Sequence, residues 1–179
     1  MNVLVTLLIS FMFCLLPTIK LLVKMKKAKN KKSFFKKNIF SILAIAVIFL
    51  GCFARLIYID IYPVGLNQDE ASSAYDAWSV LNYGIGRNEE SYPVHFIAWG
   101  SGQNALYAYL MIPFIQILGL TNLAIRLPMA LIGCISLLVF YHFMKYAFND
   151  KKALIFTFIF AIFPWHLMKS RWGLESNLF

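Results

Sequence analysis

Long apolar runs separated by short polar stretches dominate this chain. A helix needs about 20 apolar residues to cross a bilayer, and several runs come close to that length. They cover residues 3–23, 39–58, 128–147 and 153–168. Pro128 suits the first turn of its helix, where a missing N–H costs nothing. The pattern predicts an all-α chain built as a polytopic transmembrane helix bundle.

Residues 60–125 form one long stretch between the second and third runs, and they are too apolar to be disordered. Within this stretch, apolar side chains recur at helical spacing while polar ones fall on other faces. The apolar set is Ala71, Ala74, Tyr75, Trp78 and Leu81, and the polar set is Ser72, Asp76 and Ser79. We therefore predict a juxtamembrane amphipathic helix over residues 70–83, with Gly84 as its C-cap.

Another apolar piece, residues 105–120, is interrupted by Pro113 and Gln116. It is either a short span or a second amphipathic helix in the membrane interface. In the second case, Gly100 and Gly102 would form a flexible joint before it. The distribution of charge decides between the two alternatives.

Positive charge is concentrated beside particular apolar runs. Nine lysines lie within residues 20–37. If residues 105–120 do not cross the membrane, a second lysine group lies on the same side of the membrane as these nine lysines. The positive-inside rule makes that side the cytoplasmic face. Seven of the eight acidic residues then lie on the other side, and residues 60–125 are an extracytoplasmic loop. The second group is Lys145, Lys151 and Lys152.

Composition indicates an integral membrane protein, and we expect it in the plasma membrane. The chain is 60% hydrophobic with a mean hydropathy of +0.68, whereas soluble domains are nearer to about 45–50% apolar. The net charge of +9 comes from the lysine-rich loop, so we expect no nucleic-acid partner. Since those lysines follow the apolar run 3–23, this run is expected to be a retained helix and not a cleaved signal peptide. The chain then has two parts. Residues 1–37 form an additional N-terminal helix with a cytoplasmic loop, and residues 38–179 form the main transmembrane domain.

Acidic residues beside the apolar runs are the first candidates for chemistry. Asp69 and Glu70 are adjacent, and Glu175 follows the fourth run. Asn67 and Glu70 have the spacing of a capping box, which is the alternative to a catalytic role, but such a cap does not need Asp69. For Glu175 the alternative is an ion pair with Arg171 one helical turn earlier, worth about 0.3–0.5 kcal/mol.

Three cations near these acids are candidates for substrate binding. Arg171 can hold a phosphate through a bidentate fork, with Lys169 beside it. Arg126 is either an anchor at the membrane interface or a further phosphate ligand.

Possible metal ligands are sparse. Glu90 and His95 lie in the predicted loop, where solvated side chains are the commoner alternative. The cysteines lie inside apolar runs without CxxC spacing, and we predict that they are small buried hydrophobes. They are Cys14, Cys52 and Cys134.

From Asn67 to Phe179, a series of short motifs resembles the GT-C membrane glycosyltransferases. The resemblance is greatest to protein O-mannosyltransferases, to lipid A aminoarabinose transferases and to bacterial carrier-lipid-dependent relatives. In chain order the motifs are Asp69-Glu70, Trp99-Gly100-Ser101-Gly102-Gln103, Arg126-Leu127-Pro128, Pro164-Trp165-His166, Ser170-Arg171 and Glu175-Ser176-Asn177.

This resemblance implies an active site on the extracytoplasmic face. Asp69, with Glu70 beside it, would be the general base or the carboxylate that positions the acceptor, and Glu175 would be the second acid. A sugar would pass with inversion from a polyprenyl-phosphate donor to a hydroxyl of a protein, lipid or wall-polymer acceptor. Some relatives hold a metal in a Phe-Glu-Lys-Pro-like stretch, where this chain has Glu90-Ser91-Tyr92-Pro93. The cofactor is therefore left open, with a divalent metal ion on Glu90 and His95 as the candidate.

GT-C enzymes have several hundred residues, whereas the resemblance here stops at Phe179. We therefore expect this chain to be the N-terminal portion of such an enzyme and to be inactive alone. The alternative is a non-catalytic membrane module that binds or presents a carrier lipid. A transporter has less support, because no predicted span carries an acidic residue at mid-membrane depth.

Overall fold

The chain is mostly helical in its computed structural model, which describes residues 3–26, 31–98 and 100–178. Trp99, part of the lysine-rich loop and Phe179 lie outside the described residues. The described part forms two compact units, one of residues 58–132 and 168–178 and the other of the remaining residues. The elements are α1 (Val3–Lys26), α2 (Lys31–Leu56), α3 (Gln68–Tyr83), β1 (His95–Ala98), β2 (Ser101–Asn104), α4 (Leu106–Leu118), α5 (Asn122–Ala147), α6 (Asp150–Ile162), α7 (Pro164–Lys169) and a 3₁₀ turn (Glu175–Asn177).

Two helices in the described part are long and apolar enough to cross a membrane. They are Asn38–Leu56, within α2, and Asn122–Ala147, which is α5. α1 becomes a third only if Val3–Leu15 and Pro17–Val23 are counted as one span, because these halves are bent by 54°. Pro17 explains the bend, since a proline inside a helix removes a backbone hydrogen bond.

The predicted span over residues 153–168 consists of two helices. α6 ends at Ile162, α7 begins at Pro164, and Phe163 between them has φ −61° and ψ 114°. The ring of a proline disfavours helical backbone in the preceding residue, which explains the break. α6 has 13 residues. At 1.5 Å per residue this is about 20 Å, less than the hydrocarbon core of a bilayer.

Pro128 does not lie in the first turn of its helix, contrary to the prediction. α5 begins earlier, at Asn122, and the Thr121 hydroxyl accepts a hydrogen bond from the Ala124 N–H at 3.3 Å. This hydroxyl satisfies one of the unpaired N–H groups that every helix start exposes. As a result, Arg126 belongs to the first turns of a helix.

In the unit of residues 3–57 and 133–167, α2 packs against both α1 and α6. Arg55 is buried there, and it donates to the carbonyls of Gly51 at 2.9 Å and Ala161 at 3.2 Å. A third contact joins Arg55 to Nδ1 of His166 at 2.7 Å. Such partners reduce the cost of burying a cation. The three cysteines are buried and free, as predicted: Cys14, Cys52 and Cys134.

In the unit of residues 58–132 and 168–178, α3 and α4 pack around an apolar core. β1 and β2 form an antiparallel hairpin that the all-α prediction did not include, with His95 opposite Asn104. Gly100 at its turn has φ 78°, a conformation that glycine adopts without strain. Gly102 lies in β2 and is not part of a joint. α4 is a 13-residue helix, shorter than the roughly 20 residues that a helix needs to cross a bilayer.

α3 has the predicted caps, and its buried face contains polar as well as apolar residues. The capping box of Asn67 and Glu70 is present, and Gly84 ends the helix with φ 69°. Tyr75, which belongs to the predicted apolar face, is 55% exposed. Asp76, which belongs to the predicted polar set, is buried. The full buried set is Glu70, Ser73, Ala74, Asp76, Ala77, Ser79 and Val80.

Candidate functional site

A buried ion pair between Glu70 and Arg126 joins separate parts of its unit. Arg126 Nε is 3.1 Å from Oε1 of Glu70, and Nη2 is 3.2 Å from Oε2. The carboxylate also accepts the backbone N–H of Asn67 at 3.0 Å and that of Gly173 at 2.7 Å. These four hydrogen bonds occupy the roughly four lone-pair sites of a carboxylate.

Arg126 uses its remaining N–H groups on backbone carbonyls. It donates to Ile59 at 3.3 Å, to Pro63 at 2.7 Å and to Gly65. A guanidinium has five N–H groups, and the five contacts with Glu70 and these carbonyls use all of them. Both side chains are almost fully buried, at 0% exposure for Arg126 and 1% for Glu70. The predicted catalytic residue Glu70 and the predicted substrate ligand Arg126 are therefore paired with each other inside the unit and are not exposed to solvent.

Gly173 fits closely beside this ion pair. A Cβ atom at this position would lie 2.8 Å from the carbonyl oxygen of Ile125 and 3.0 Å from the hydroxyl of Tyr107. That hydroxyl is itself fixed, because it donates to the Ile125 carbonyl at 2.6 Å. The absence of a side chain therefore lets the segment carrying Glu175 approach the start of α3.

Gly173→Ala is expected to destabilise the unit by about 1–3 kcal/mol, the usual cost of overpacking a filled site. The new methyl group must push the segment away from Ile125 and lengthen the hydrogen bond to Glu70. Thermal unfolding of the purified protein in detergent measures the loss. Gly65→Ala is not a clean control because its φ is 75°, so Gly102→Ala, where a Cβ has open space, serves instead. An equal loss in both variants would contradict the steric explanation.

Asp69 and Glu175 come together beside the ion pair. Asp69 is exposed, and no hydrogen bond to its carboxylate is found within the described ranges. Glu175 is partly buried, and this burial raises its pKa. A hydrogen bond from Gln103 lowers that pKa, the nearby charge of Asp69 raises it, and the backbone of Asn104 and the charge of Arg87 lower it. Glu175 Oε2 is buried without a hydrogen-bond partner in the described part of the chain.

A polar cluster on α3 surrounds these acids, and sequence reasoning missed its cation, Arg87. Nε of Arg87 lies 2.9 Å and 3.0 Å from the two oxygens of Asp76, and Nη2 donates to the Ser72 carbonyl at 3.1 Å. Gln103 donates to the Ser73 hydroxyl at 2.7 Å. The sequence did contain a signal for this cluster, because α3 has more polar residues than one solvent-facing side of a helix can hold.

Lys169 and Arg171 lie at the start of the segment that Gly173 anchors. Arg171 donates to the carbonyl of Tyr62 at 3.0 Å, and its burial and then the charge of Arg126 lower its pKa. Lys169 is partly buried, and its carbonyl accepts a hydrogen bond from Asn177 at 3.1 Å. These two predicted cations therefore belong to the same unit as Asp69 and Glu175.

The predicted metal ligands Glu90 and His95 do not form a metal site with their neighbours. Both side chains are exposed. Among residues 3–26, 31–98 and 100–178, no group of three or more His, Cys, Asp or Glu side chains could hold an ion. Metal sites in proteins usually have more protein ligands than this pair offers.

The chain was compared with known protein families, with curated proteins and with solved structures. None of them matches.

Proposed function

We propose that this chain carries the acceptor-activating acids of a GT-C-type membrane glycosyltransferase. In this proposal a sugar passes from a polyprenyl-phosphate donor to a hydroxyl of an extracytoplasmic acceptor. The observation that carries the proposal is the convergence of Asp69 and Glu175 from distant parts of the chain. Helices long enough to cross a membrane support it as well, since the donor is a lipid.

Asp69 acts as the general base in the proposed reaction. Its exposed carboxylate takes the proton of the acceptor hydroxyl while the oxygen attacks the anomeric carbon. The bond between that carbon and the phosphate oxygen breaks, and its electron pair leaves with the polyprenyl phosphate. One displacement inverts the configuration at the anomeric carbon. Base assistance of this kind contributes about 10²–10⁴ in rate.

Glu175 is proposed to orient the reacting hydroxyl. Its raised pKa favours the neutral form more than in an ordinary glutamate, and its Oε2 atom still needs a hydrogen-bond partner among the described residues. The side chain of Glu175 as a whole is only partly buried, so a substrate hydroxyl would approach its solvent-facing side and not the enclosed Oε2 atom. Arg171 and Lys169 would stabilise the negative charge that develops on the leaving phosphate. Glu70 and Arg126 hold these elements in place.

The experiment that tests the function measures transfer in native membranes. Vesicles with and without the protein receive polyprenyl phosphates bearing a radiolabelled sugar, and label in the acceptor fraction is counted. We expect protein-dependent transfer and an inverted anomeric configuration in the product. Binding of the carrier lipid without any transfer would contradict the proposal and would support the non-catalytic lipid-binding alternative.

The proposal also requires a particular topology for a polytopic bundle. Gln68→Cys and Ser176→Cys, both at exposed positions, are expected to react with an impermeant thiol reagent added to intact cells. Lys151→Cys is expected to react only after permeabilisation. The native cysteines are buried and give a low background. Labelling of residue 176 from the cytoplasmic side alone would separate the two acids and exclude a shared site.

A further inference from the structure

A second candidate site lies where α1, α2 and α5 meet, within the unit of residues 3–57 and 133–167. The helices enclose a cavity of about 250 Å³. One part of its wall is apolar and the other part is polar. The apolar residues are Pro17, Leu21 and Ile45, and the polar ones include Asn38, Ser41 and Lys145.

Lys145 provides the cation of this cavity. Its Nζ atom donates to the Ser41 hydroxyl at 3.0 Å and lies 3.0 Å from Oδ1 of Asp150. Tyr141 is a further hydrogen-bond partner of this ammonium, and the lysine side chain is 42% exposed. Because the lysine side chain is already partly exposed, an incoming anion can contact Lys145 without any rearrangement of the helices.

The segment of the chain that follows the cavity residue Lys145 is basic. Lys151 and Lys152 follow soon after Lys145, with Asp150 as the acidic residue beside them. Basic pockets between membrane helices attract anionic lipid headgroups, because the positive potential adds to local hydrogen bonds.

We infer that this cavity binds the phosphate of an anionic phospholipid. The phosphate contacts Lys145, Ser41 and Asn38, while the glycerol backbone and the first acyl carbons lie along Leu21 and Ile45. The apolar wall favours a lipid over free phosphate, which has no group to place there. This inference goes beyond the proposed transfer reaction and does not depend on it.

The test measures lipid binding to the purified full chain by native mass spectrometry in detergent. Phosphatidylglycerol and phosphatidylcholine with the same acyl chains are added separately. We expect a Kd for phosphatidylglycerol about fivefold lower than for phosphatidylcholine, and a loss of about fivefold in Lys145→Ala. Lys145→Arg is expected to retain binding. Equal affinity for the two lipids, or unchanged binding in Lys145→Ala, would overturn the inference.

Two controls distinguish this site from general attraction. Lys151→Ala removes the same charge outside the cavity lining and is expected to change the Kd by less than about twofold. A loss equal to that of Lys145→Ala would show diffuse surface electrostatics and reject the site. Millimolar inorganic phosphate is expected not to displace phosphatidylglycerol, and displacement would reject the lipid as ligand. Should Lys145→Ala not purify, Asn38→Asp is expected to weaken binding, and unchanged binding would again reject the site.

Discussion

Asp69→Asn is expected to reduce sugar transfer by about 10²–10⁴ while the protein still inserts and unfolds at nearly the same temperature. An amide is nearly the same size as a carboxylate but cannot accept the proton of the acceptor hydroxyl. Because Asp69 is exposed and is not required for the cap that Asn67 and Glu70 form, its effect on stability is limited to the contribution of an acid in the first turn of a helix, about 0.3–1 kcal/mol. Transfer in native membranes and thermal unfolding in detergent measure the two effects separately.

The matched control for Asp69 is Glu89→Gln, which neutralises an exposed acid of the same unit outside the site. Its transfer rate is expected to match that of the unmodified protein. Glu175→Gln is expected to lower transfer as well, and to change the pH dependence of the remaining rate, because the group with the raised pKa is gone. Full activity in Asp69→Asn would remove this residue from the role of base.

Arg126→Ala is expected to destabilise its unit by about 3–5 kcal/mol, the second large effect. The substitution leaves the carboxyl group of Glu70 buried at 1% exposure without its charged partner. It also deprives the carbonyls of Ile59, Pro63 and Gly65 of their donors. Thermal unfolding and protease sensitivity in detergent would show a clear loss of folded protein.

A double variant tests the cause of that loss. Replacing both Glu70 and Arg126 by methionine removes the pair without leaving a lone charge, and it is expected to recover part of the stability. Arg171→Ala, which removes an arginine from the same unit that is not fully buried, is the control and is expected to cost less. If Arg126→Ala cost no more than Arg171→Ala, the ion pair would not be the element that holds the unit together.

The two predictions distinguish an effect on the transfer rate from an effect on the stability of the fold. Asp69 is expected to affect rate with little effect on stability, whereas Arg126 is expected to affect both. This division arises because Glu70 and Asp69 are neighbours on α3 whose side chains have opposite environments, one buried and one exposed. A loss of transfer in an Arg126 variant would therefore carry information about catalysis only if folding were measured beside it.

Local features of the structure could be predicted from the sequence. The caps of α3 at Asn67 and Gly84 depend on side chains and backbone within a few residues, and both predictions are confirmed. The apolar runs gave the two helices that are long enough to cross a membrane. Errors arose where a proline or a hairpin altered local geometry, as at Phe163 before Pro164 and at the β1–β2 turn.

The amino-acid sequence by itself determined a helical, strongly apolar chain with acidic residues next to its apolar runs. Only the tertiary structure decided which of those acids are accessible. The capping-box spacing distinguishes Glu70 from Asp69 in the sequence, but it does not show that Arg126 and the Gly173 N–H enclose Glu70 and leave Asp69 exposed. The physical reason is that burial and ion pairing depend on residues far away in the chain, whereas a sequence pattern reports only neighbours.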